Sequence, residues 1–144
     1  MKEYLELMPL LKAAYSHIVS KIYTKYHLTA AEFDVVMFLA NNPEYTRAAD
    51  IVERRGIVKS QVSVSVNSLV DRGIIQKVID EKDHRSIHLY LCNSANDIVY
   101  EGRQAQAFFV ETLLQGFTSV EQERMRKNIM RFTENLKGFL GGNR

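Results

Sequence analysis

The chain has 144 residues, of which 46% are hydrophobic and 25% are charged, and its formal net charge at pH 7 is +2. This length and composition fit one globular domain with a sizeable core, and they exclude a disordered or fibrous chain. No run of about 18 apolar residues occurs, so we expect no transmembrane helix and no membrane partner. The only cysteine, Cys92, excludes an intrachain disulfide framework, and we expect a cytoplasmic protein.

The first part of the chain is predicted to form three helices. Apolar residues recur at spacings of three and four over residues 2–26, which predicts an amphipathic helix. Thr29 lies three residues before Glu32, and this pair forms a capping-box pattern at the start of a second helix. Thr46 is the expected N-cap of a short third helix, which Gly56 ends.

Residues 60–70 read SQVSVSVNSLV, and their polar–apolar alternation is typical of a half-buried strand. Over a longer window the apolar spacing becomes that of one side of a helix. A strand here would also need a partner, and the two strand-like runs that follow pair with each other. We therefore expect a fourth helix, with Val64 pointing away from the core. The apolar side of that helix consists of Val58, Val62, Val66, Leu69 and Val70.

Two apolar runs after this helix are predicted to form a β-hairpin. Residues 74–80 and 86–92 read as antiparallel strands joined by a short charged turn. A short helix, a tight turn at Gly56, another helix and a hairpin together make a winged helix-turn-helix. The expected fold class is therefore mainly α with a small β-hairpin, in which a winged helix-turn-helix is flanked by long N- and C-terminal helices.

The chain is predicted to end in two long helices. Ser94 is the expected N-cap of a helix over residues 95–115, and Thr118 with Glu121 forms a capping box before a helix over residues 119–140. The apolar stripes of the terminal helices hold more surface than a small winged helix can cover. They could be buried within one chain or between two chains, and we expect a homodimer.

The outward side of the fourth helix carries short polar side chains. A merely solvated helix usually carries Glu and Lys there, whereas Ser, Gln, Asn and Val suit the major groove of DNA. The first turn of the helix also offers backbone N–H groups to a phosphate. The alternative is an ordinary surface helix. The candidate DNA-contacting residues are Lys59, Ser60, Gln61, Ser63, Val64 and Asn67.

The charged turn of the hairpin, DEKDHR, spans residues 80–85. As a wing along DNA, it would bring Lys82, His84 and Arg85 to phosphates or into a minor groove. Asp80 and Asp83 would repel phosphate, and we expect them to brace the turn by pairing with Arg85 or Lys82. The alternative is an ordinary solvent-exposed hairpin tip, and composition alone does not decide between the two.

The two segments KSQVSVSVNSLVDRGII and DEKDHRSIHLYL resemble the MarR family of transcriptional regulators. That family has Lys-Ser at the start of its recognition helix, Leu-x-x-x-Gly near its end and an Asp-x-Arg-Asp-x-Arg wing. Lys82 stands in place of the first wing arginine, which would weaken a minor-groove contact there. The segment LCNSAND also departs from the usual start of the next helix. The matching positions are Lys59-Ser60, Leu69, Gly73, Asp80, Lys82, Asp83 and Arg85.

The resemblance extends to the layout of the whole chain. It implies a single MarR-like domain over residues 1–144, with a winged-helix lobe over about 29–92 and dimerisation helices over about 2–27 and 95–140. It further implies a homodimer on palindromic double-stranded DNA, with half-sites about one helical turn apart. Family members usually repress, and many release DNA when a small phenolic or other amphipathic effector, or an oxidant, acts on them.

Other candidate sites are weaker. Tyr15 and His17 on the first helix could reach an effector pocket, or they could be ordinary packing residues. Cys92 ends a strand and is expected to be a packing residue rather than a redox sensor. The histidines offer no identifiable third metal ligand, so we expect no metal site and no cofactor. These histidines are His17, His27, His84 and His88.

We do not expect an enzyme. The sequence has no phosphate loop, no GxSxG and no HExxH motif. A winged-helix module that binds protein rather than DNA is the alternative function. Its recognition helix would present an apolar or acidic side, which the fourth helix does not.

Overall fold

The computed structural model describes residues 1–142, and the predicted order of helices and strands is confirmed. The chain divides into two compact units, one over Met1–Phe109 and one that begins at Val110. Within the described residues, no helix has the length and hydropathy that crossing a bilayer requires. The elements are α1 (Lys2–Lys25), α2 (Ala30–Asn41), α3 (Ala48–Arg55), α4 (Lys59–Asp71), β1 (Ile75–Ile79), β2 (Ile87–Leu91), α5 (Asn96–Leu113) and α6 (Ser119–Gly142).

Helix α2 lies at the centre of the first unit. Phe33, Val35 and Val36 have no exposed surface, and because neighbouring helical residues point in different directions, α2 must be covered on several sides. The first half of α5 approaches α2 closely, since a Cβ on Gly102 would come within 2.4 Å of the Met37 sulfur. The other fully buried large side chains are Ile51, Val62, Leu69 and Ile75.

The strand-like stretch is helix α4, as predicted. Val62 and Val66 are 1% and 4% exposed, whereas Val64 is 70% exposed. In a strand all three would share one face, so the burial pattern itself excludes that alternative. The expectation for Val58 was wrong, because this residue precedes the first helical turn and is 67% exposed.

The hairpin is tied to the start of α3 by the main chain. Its strands are antiparallel, and the Leu89 N–H donates to the Thr46 carbonyl at 2.7 Å. The hydroxyl of Thr46 lies 2.6 Å from His88 Nδ1 and makes no cap. At the start of α3, the Asp50 carboxylate instead accepts from the Arg47 N–H at 3.1 Å. The predicted Thr46 cap is therefore wrong, because a partner on the hairpin takes its hydroxyl.

The Ser94 cap is also wrong, and the Thr118 capping box is confirmed. The Ser94 hydroxyl donates to the Gly73 carbonyl at 2.6 Å, and a 3₁₀ turn leads into α5. In the second unit, Thr118 and Glu121 exchange hydrogen bonds at 3.2 and 2.8 Å before α6.

The capping box at α2 is confirmed, and it also joins α2 to α4. Glu32 accepts from the Thr29 N–H at 2.9 Å, and the Thr29 hydroxyl accepts from the Glu32 N–H at 3.1 Å. The second carboxylate oxygen of Glu32 accepts from the Ser68 hydroxyl at 2.8 Å. Burial raises the pKa of Glu32, but the hydrogen bonds from Thr29 and Ser68 outweigh it, so that the pKa lies below its usual value.

Replacing Glu32 should weaken the winged helix in a pH-dependent way. Glu32→Ala is expected to lower the free energy of unfolding at pH 7 by roughly 1–3 kcal/mol, because it removes a cap and leaves Ser68 without its acceptor. Since the folded pKa is lowered, the contribution of the charge is full above the unfolded pKa and is lost as the pH falls through the folded one. The difference in the free energy of unfolding between wild type and Glu32→Gln should therefore be smaller in acid than at pH 7. Denaturant unfolding at pH 7 and about pH 3.5 measures it.

Glu121→Gln is the matched control, since it alters an exposed capping box of the same type. We expect it to change stability by less than about 0.5 kcal/mol at pH 7. A wild type and a Glu32→Gln variant of equal stability at both pH values would contradict the role given to the charge.

Candidate nucleic-acid interface

Helices α3 and α4 form a helix-turn-helix around Gly56. This glycine has a φ of 73°, in the left-handed region, and its N–H donates to the Val52 carbonyl at 3.2 Å to end α3. A side chain at this position would strain the turn. The turn thereby fixes the direction in which α4 leaves α3.

Helix α4 presents its six candidate residues to solvent. All of them are exposed, and their side chains lie away from the buried Val62, Val66 and Leu69. Ser65 lies on the same helix but is 4% exposed, so it belongs to the core. The exposed set is Lys59, Ser60, Gln61, Ser63, Val64 and Asn67.

Asn67 has a hydrogen-bond partner on β1 that was not among the predicted contacts. The Lys77 ammonium on β1 donates to Asn67 Oδ1 at 3.0 Å. Because lysine only donates, the contact sets the amide orientation and leaves the NH₂ group of Asn67 free to point outward. The available signal was strand alternation, since Lys77 lies two residues after the buried Ile75 and so shares its side of β1.

The wing turn is organised by its two aspartates through the main chain. Asp80 Oδ1 accepts from the N–H groups of Lys82 and Asp83 at 2.8 and 3.2 Å, and Asp83 Oδ1 accepts from the Arg85 N–H at 3.1 Å. The expected pairing with the side chains of Lys82 or Arg85 is therefore replaced by bonds to backbone N–H groups. Lys82, Arg85 and the neighbouring His84 keep exposed side chains.

His88 connects the wing turn to the loop before α3. Its Nε2 lies 3.0 Å from Asp80 Oδ2, and its Nδ1 lies 2.6 Å from Thr46 Oγ1. The hydrogen bonds from His88 and from the N–H groups of Lys82 and Asp83 hold the pKa of Asp80 below its usual value. The sequence indicated His88 only as a possible metal ligand, because its contact with Thr46 depends on which strand residue meets the loop.

Several cations of the winged helix are engaged in contacts within the first unit. Arg55 pairs with Asp34 at 3.2 Å, and the Arg54 guanidinium lies 3.8 Å from the centre of the Tyr45 ring. Arg72 donates to two carbonyls at the end of α1, those of Tyr26 and His27. Among residues 1–142, the cations of the candidate interface form no ion pair; these are Lys59, Lys82 and Arg85.

A cleft of about 740 Å³ lies between the end of α2, strand β2 and helix α5. Its wall is mainly apolar, with Leu39, Leu89 and Val99 among the lining residues. Arg103 lies at its edge and donates to the Ala40 carbonyl at 2.8 Å. The size and the mixture of apolar wall and polar edge suit a small organic ligand.

The predicted effector residues Tyr15 and His17 do not line this cleft. The Tyr15 hydroxyl accepts from Gln106 at 2.9 Å, and its ring packs edge-on against Phe109, so Tyr15 is a packing residue of the first unit. Burial raises the pKa of the Tyr15 hydroxyl. His17 is exposed, and Cys92 is half-buried. In the described part of the chain, no cluster of three or more His, Cys, Asp or Glu side chains could hold a metal.

Comparison with known proteins finds a family with a similar winged helix-turn-helix. Residues 27–86 match the sequence model of the MarR family. The winged helix-turn-helix of the chain is similar to that of the MarR family. The matched residues hold α2, α3, α4, β1 and the wing turn, and the predicted resemblance to the MarR family and the predicted fold class are confirmed.

Solved MarR-family structures share the fold over nearly the whole chain. A MarR transcriptional regulator from Methanosarcina mazei Go1 is 18% identical, with a TM-score of 0.76, and the match covers 95% of this chain and 99% of that one. A putative MarR-family regulator from Listeria monocytogenes, complexed with a 26mer DNA, is 15% identical, with a TM-score of 0.81 and coverage of 92% and 87%. No curated protein matches the chain by sequence.

A third similar structure is that of BpsR from Bordetella bronchiseptica. It is 20% identical, with a TM-score of 0.62, and the match covers 89% of this chain and 98% of BpsR. That structure describes how 6-hydroxynicotinic acid regulates DNA binding by BpsR. The MarR family consists of transcriptional regulators, in agreement with the prediction that the chain is not an enzyme.

Substitutions at Val64 and Val66 should show which side of α4 packs against the core. Val66→Ala is expected to lower the free energy of unfolding by roughly 1–3 kcal/mol, because it leaves a gap in the core. Val64→Ala should be neutral or slightly stabilising, within about 0.5 kcal/mol, because alanine favours helix and no contact of Val64 with the core is lost. Denaturant unfolding of both variants measures this difference, and equal losses would contradict the assigned orientation.

Proposed function

We propose that this protein is a sequence-specific regulator of transcription that binds double-stranded DNA, with α4 in the major groove. The observation that carries the proposal is the outward side of α4, where exposed short polar residues follow Lys59. Such side chains allow close approach to base edges and can bond to them. Lys59 and Ser60 lie at the helix start, where N–H groups favour a phosphate. The solved Listeria regulator of the same fold was determined with DNA.

The wing supplies the second set of proposed contacts. Lys82, His84 and Arg85 are exposed on one turn, and neither Lys82 nor Arg85 forms an ion pair within residues 1–142. Exposed side-chain cations without an ion-pair partner can bind phosphates or enter a minor groove. The bonds of Asp80 and Asp83 to the backbone keep both carboxylates turned into the loop. We assign the wing to DNA contacts that position the protein.

The contact between Asn67 and Lys77 refines the proposed base preference. Bidentate pairing with adenine needs both the carbonyl and the NH₂ group of an asparagine. Because Lys77 bonds to the carbonyl of Asn67, the free NH₂ group favours an acceptor, such as O6 of guanine or O4 of thymine. Gln61 keeps the adenine-pairing role in this proposal.

We further propose a homodimer that binds a palindromic site. On α1, Tyr4, Leu5, Met8 and Leu10 are each at least 60% exposed. On α6, none of the described residues is buried, and the exposed apolar side chains include Ile129, Phe132, Leu136 and Phe139. Apolar surface on this scale is unusual in a monomer and typical of an interface. The roles given to the terminal helices, and a single-domain organisation over residues 1–144, remain proposals.

The regulator is proposed to act in the cytoplasm as a repressor that a small aromatic or amphipathic effector releases. The cleft between α2, β2 and α5 is the candidate effector site, because it has an apolar wall and Arg103 at its edge. A guanidinium there suits a carboxylate or phenolate on the ligand. The regulation of BpsR by 6-hydroxynicotinic acid supports this class of effector.

Removing the proposed phosphate contacts should lower the salt dependence of DNA binding. Sequences are first selected from random DNA, and affinity for the selected site is then measured against salt concentration. Lys59→Ala and Arg85→Ala should each weaken binding and, because the dimer loses two phosphate contacts, reduce the slope of log affinity against log salt by about 1.8.

Lys127→Ala on α6 changes the net charge equally and is expected to leave the slope unchanged. A selection that enriches no sequence would instead favour a protein-interaction module. Unaltered slopes in both interface variants would remove Lys59 and Arg85 from the DNA surface.

Light scattering should give a solution mass of twice the 16.6 kDa chain. Leu136→Glu on α6 should shift the protein towards the monomer, because it places a charge in the proposed interface. Val64→Glu is the control, since Val64 is at least as exposed but lies on α4. A wild type that stays monomeric at micromolar concentration would overturn the dimer.

Filling the cleft should abolish the effector response and spare DNA binding. The probes are hydroxylated aromatic acids, including 6-hydroxynicotinate, added to the complex with the selected DNA. At least one should weaken the wild-type complex, and Val99→Trp should lose that response because the larger side chain occupies the cleft. Tyr15→Phe, outside the cleft, should keep it. If every probe leaves the wild-type complex intact, release by this class of effector is wrong.

A further inference from the structure

His88 lies at the centre of a set of hydrogen bonds that runs from the helix-turn-helix to the wing. Its two ring nitrogens contact the Thr46 hydroxyl at 2.6 Å and the Asp80 carboxylate at 3.0 Å. The other oxygen of Asp80 accepts from the N–H groups of Lys82 and Asp83. The ring therefore joins the loop before α3 to the backbone of the wing turn.

The proton positions follow from the chemistry of these groups. Because the pKa of Asp80 is held below its usual value, its carboxylate is ionised near neutral pH and can only accept. Nε2 of His88 must then carry a hydrogen in both ring states. In the neutral ring Nδ1 accepts from the Thr46 hydroxyl, and in the cation Nδ1 donates to it. Protonation thus keeps both bonds and adds a positive charge beside Asp80.

The surroundings of the ring make this added charge effective. Val78 lies opposite His88 across the hairpin, and the Tyr90 ring lies 6.3 Å away on the same strand. Among the described residues, Asp80 is the charged group bonded to the ring. The side chains of His88 and Asp80 are only 20% and 30% exposed, so solvent screens this pair less than it screens the wing tip.

We propose that His88 is a positioning residue for DNA binding, which holds the wing turn in place through Asp80 and holds it more firmly when its ring is protonated. The inference rests on the proposed role of the wing in DNA binding. A larger fraction of molecules with the wing in place raises the apparent affinity for DNA. Binding should therefore tighten when the pH is lowered from 8 to 6, because the protonated form of the ring becomes more populated.

The first test follows the free protein by NMR from pH 8 to about pH 5.5, a range that spans an ordinary histidine titration. The wing carries a second histidine, His84, so the measurement uses the His84→Gln variant. We expect the amide resonances of Lys82 and Asp83 to shift with the same midpoint as the His88 ring. Amides that stay constant while the ring titrates would overturn the inference. Since His88 is unchanged, no folding defect can obscure the result.

The second test compares DNA affinity in His84→Gln and His84→Gln/His88→Gln. Glutamine is polar but does not titrate in this range. Between pH 8 and pH 6 the single variant should bind the selected DNA about two- to fivefold more tightly, as expected for one partly exposed ion pair, and the double variant should not. Equal pH profiles in the two proteins would overturn the inference.

The two tests distinguish this inference from the proposed function. A protein that binds no DNA selectively at any pH would overturn the proposed function. The NMR titration would still decide whether His88 holds the wing turn. Selective binding with identical pH profiles would remove only the role of His88.

Discussion

The burial of α2 is the constraint on which the rest of the winged helix depends. Val35 and Val36 are both fully buried although they point in different directions, so other elements must cover α2 on more than one side. Helix α4 supplies part of this cover through Val62 and Leu69, and the bond between Glu32 and Ser68 joins the two helices. The orientation of α4, and with it the surface that is proposed to contact DNA, is a consequence of how α2 is covered.

Local sequence signals predicted the parts of the fold that depend on local chemistry. The helix and strand order, the capping box at Thr29 and the helical state of residues 60–70 all follow from spacing and neighbouring residues. The predicted caps at Thr46 and Ser94 were wrong, because each hydroxyl bonds to a residue distant in sequence. A cap prediction assumes that the nearest backbone N–H is the best available partner, and tertiary contacts here supply better ones.

The candidate site was predictable in its residue types but not in its contacts. The exposed set on α4 follows from helical periodicity once the core side is known. The contact between Asn67 and Lys77 does not, because it forms only when the hairpin packs against α4, and the contact between Asp80 and His88 depends on the register of the hairpin. Alternation along β1 places Lys77 on the same side as Ile75, but no fixed sequence spacing indicates which residue of α4 it contacts.

Thr46 lines the cleft and also binds the hairpin, so it connects the two. The carbonyl of Thr46 accepts a hydrogen bond from the Leu89 N–H, and its hydroxyl contacts His88. Two hydrogen bonds therefore attach strand β2 to this residue. Thr46 and Leu89 both line the cleft, so a ligand that fills it would lie next to both residues. We therefore expect that a ligand which displaces Thr46 would change the angle at which the hairpin leaves the helices. The proposed effector site and the wing that is proposed to contact DNA therefore share Thr46 as a common point of attachment.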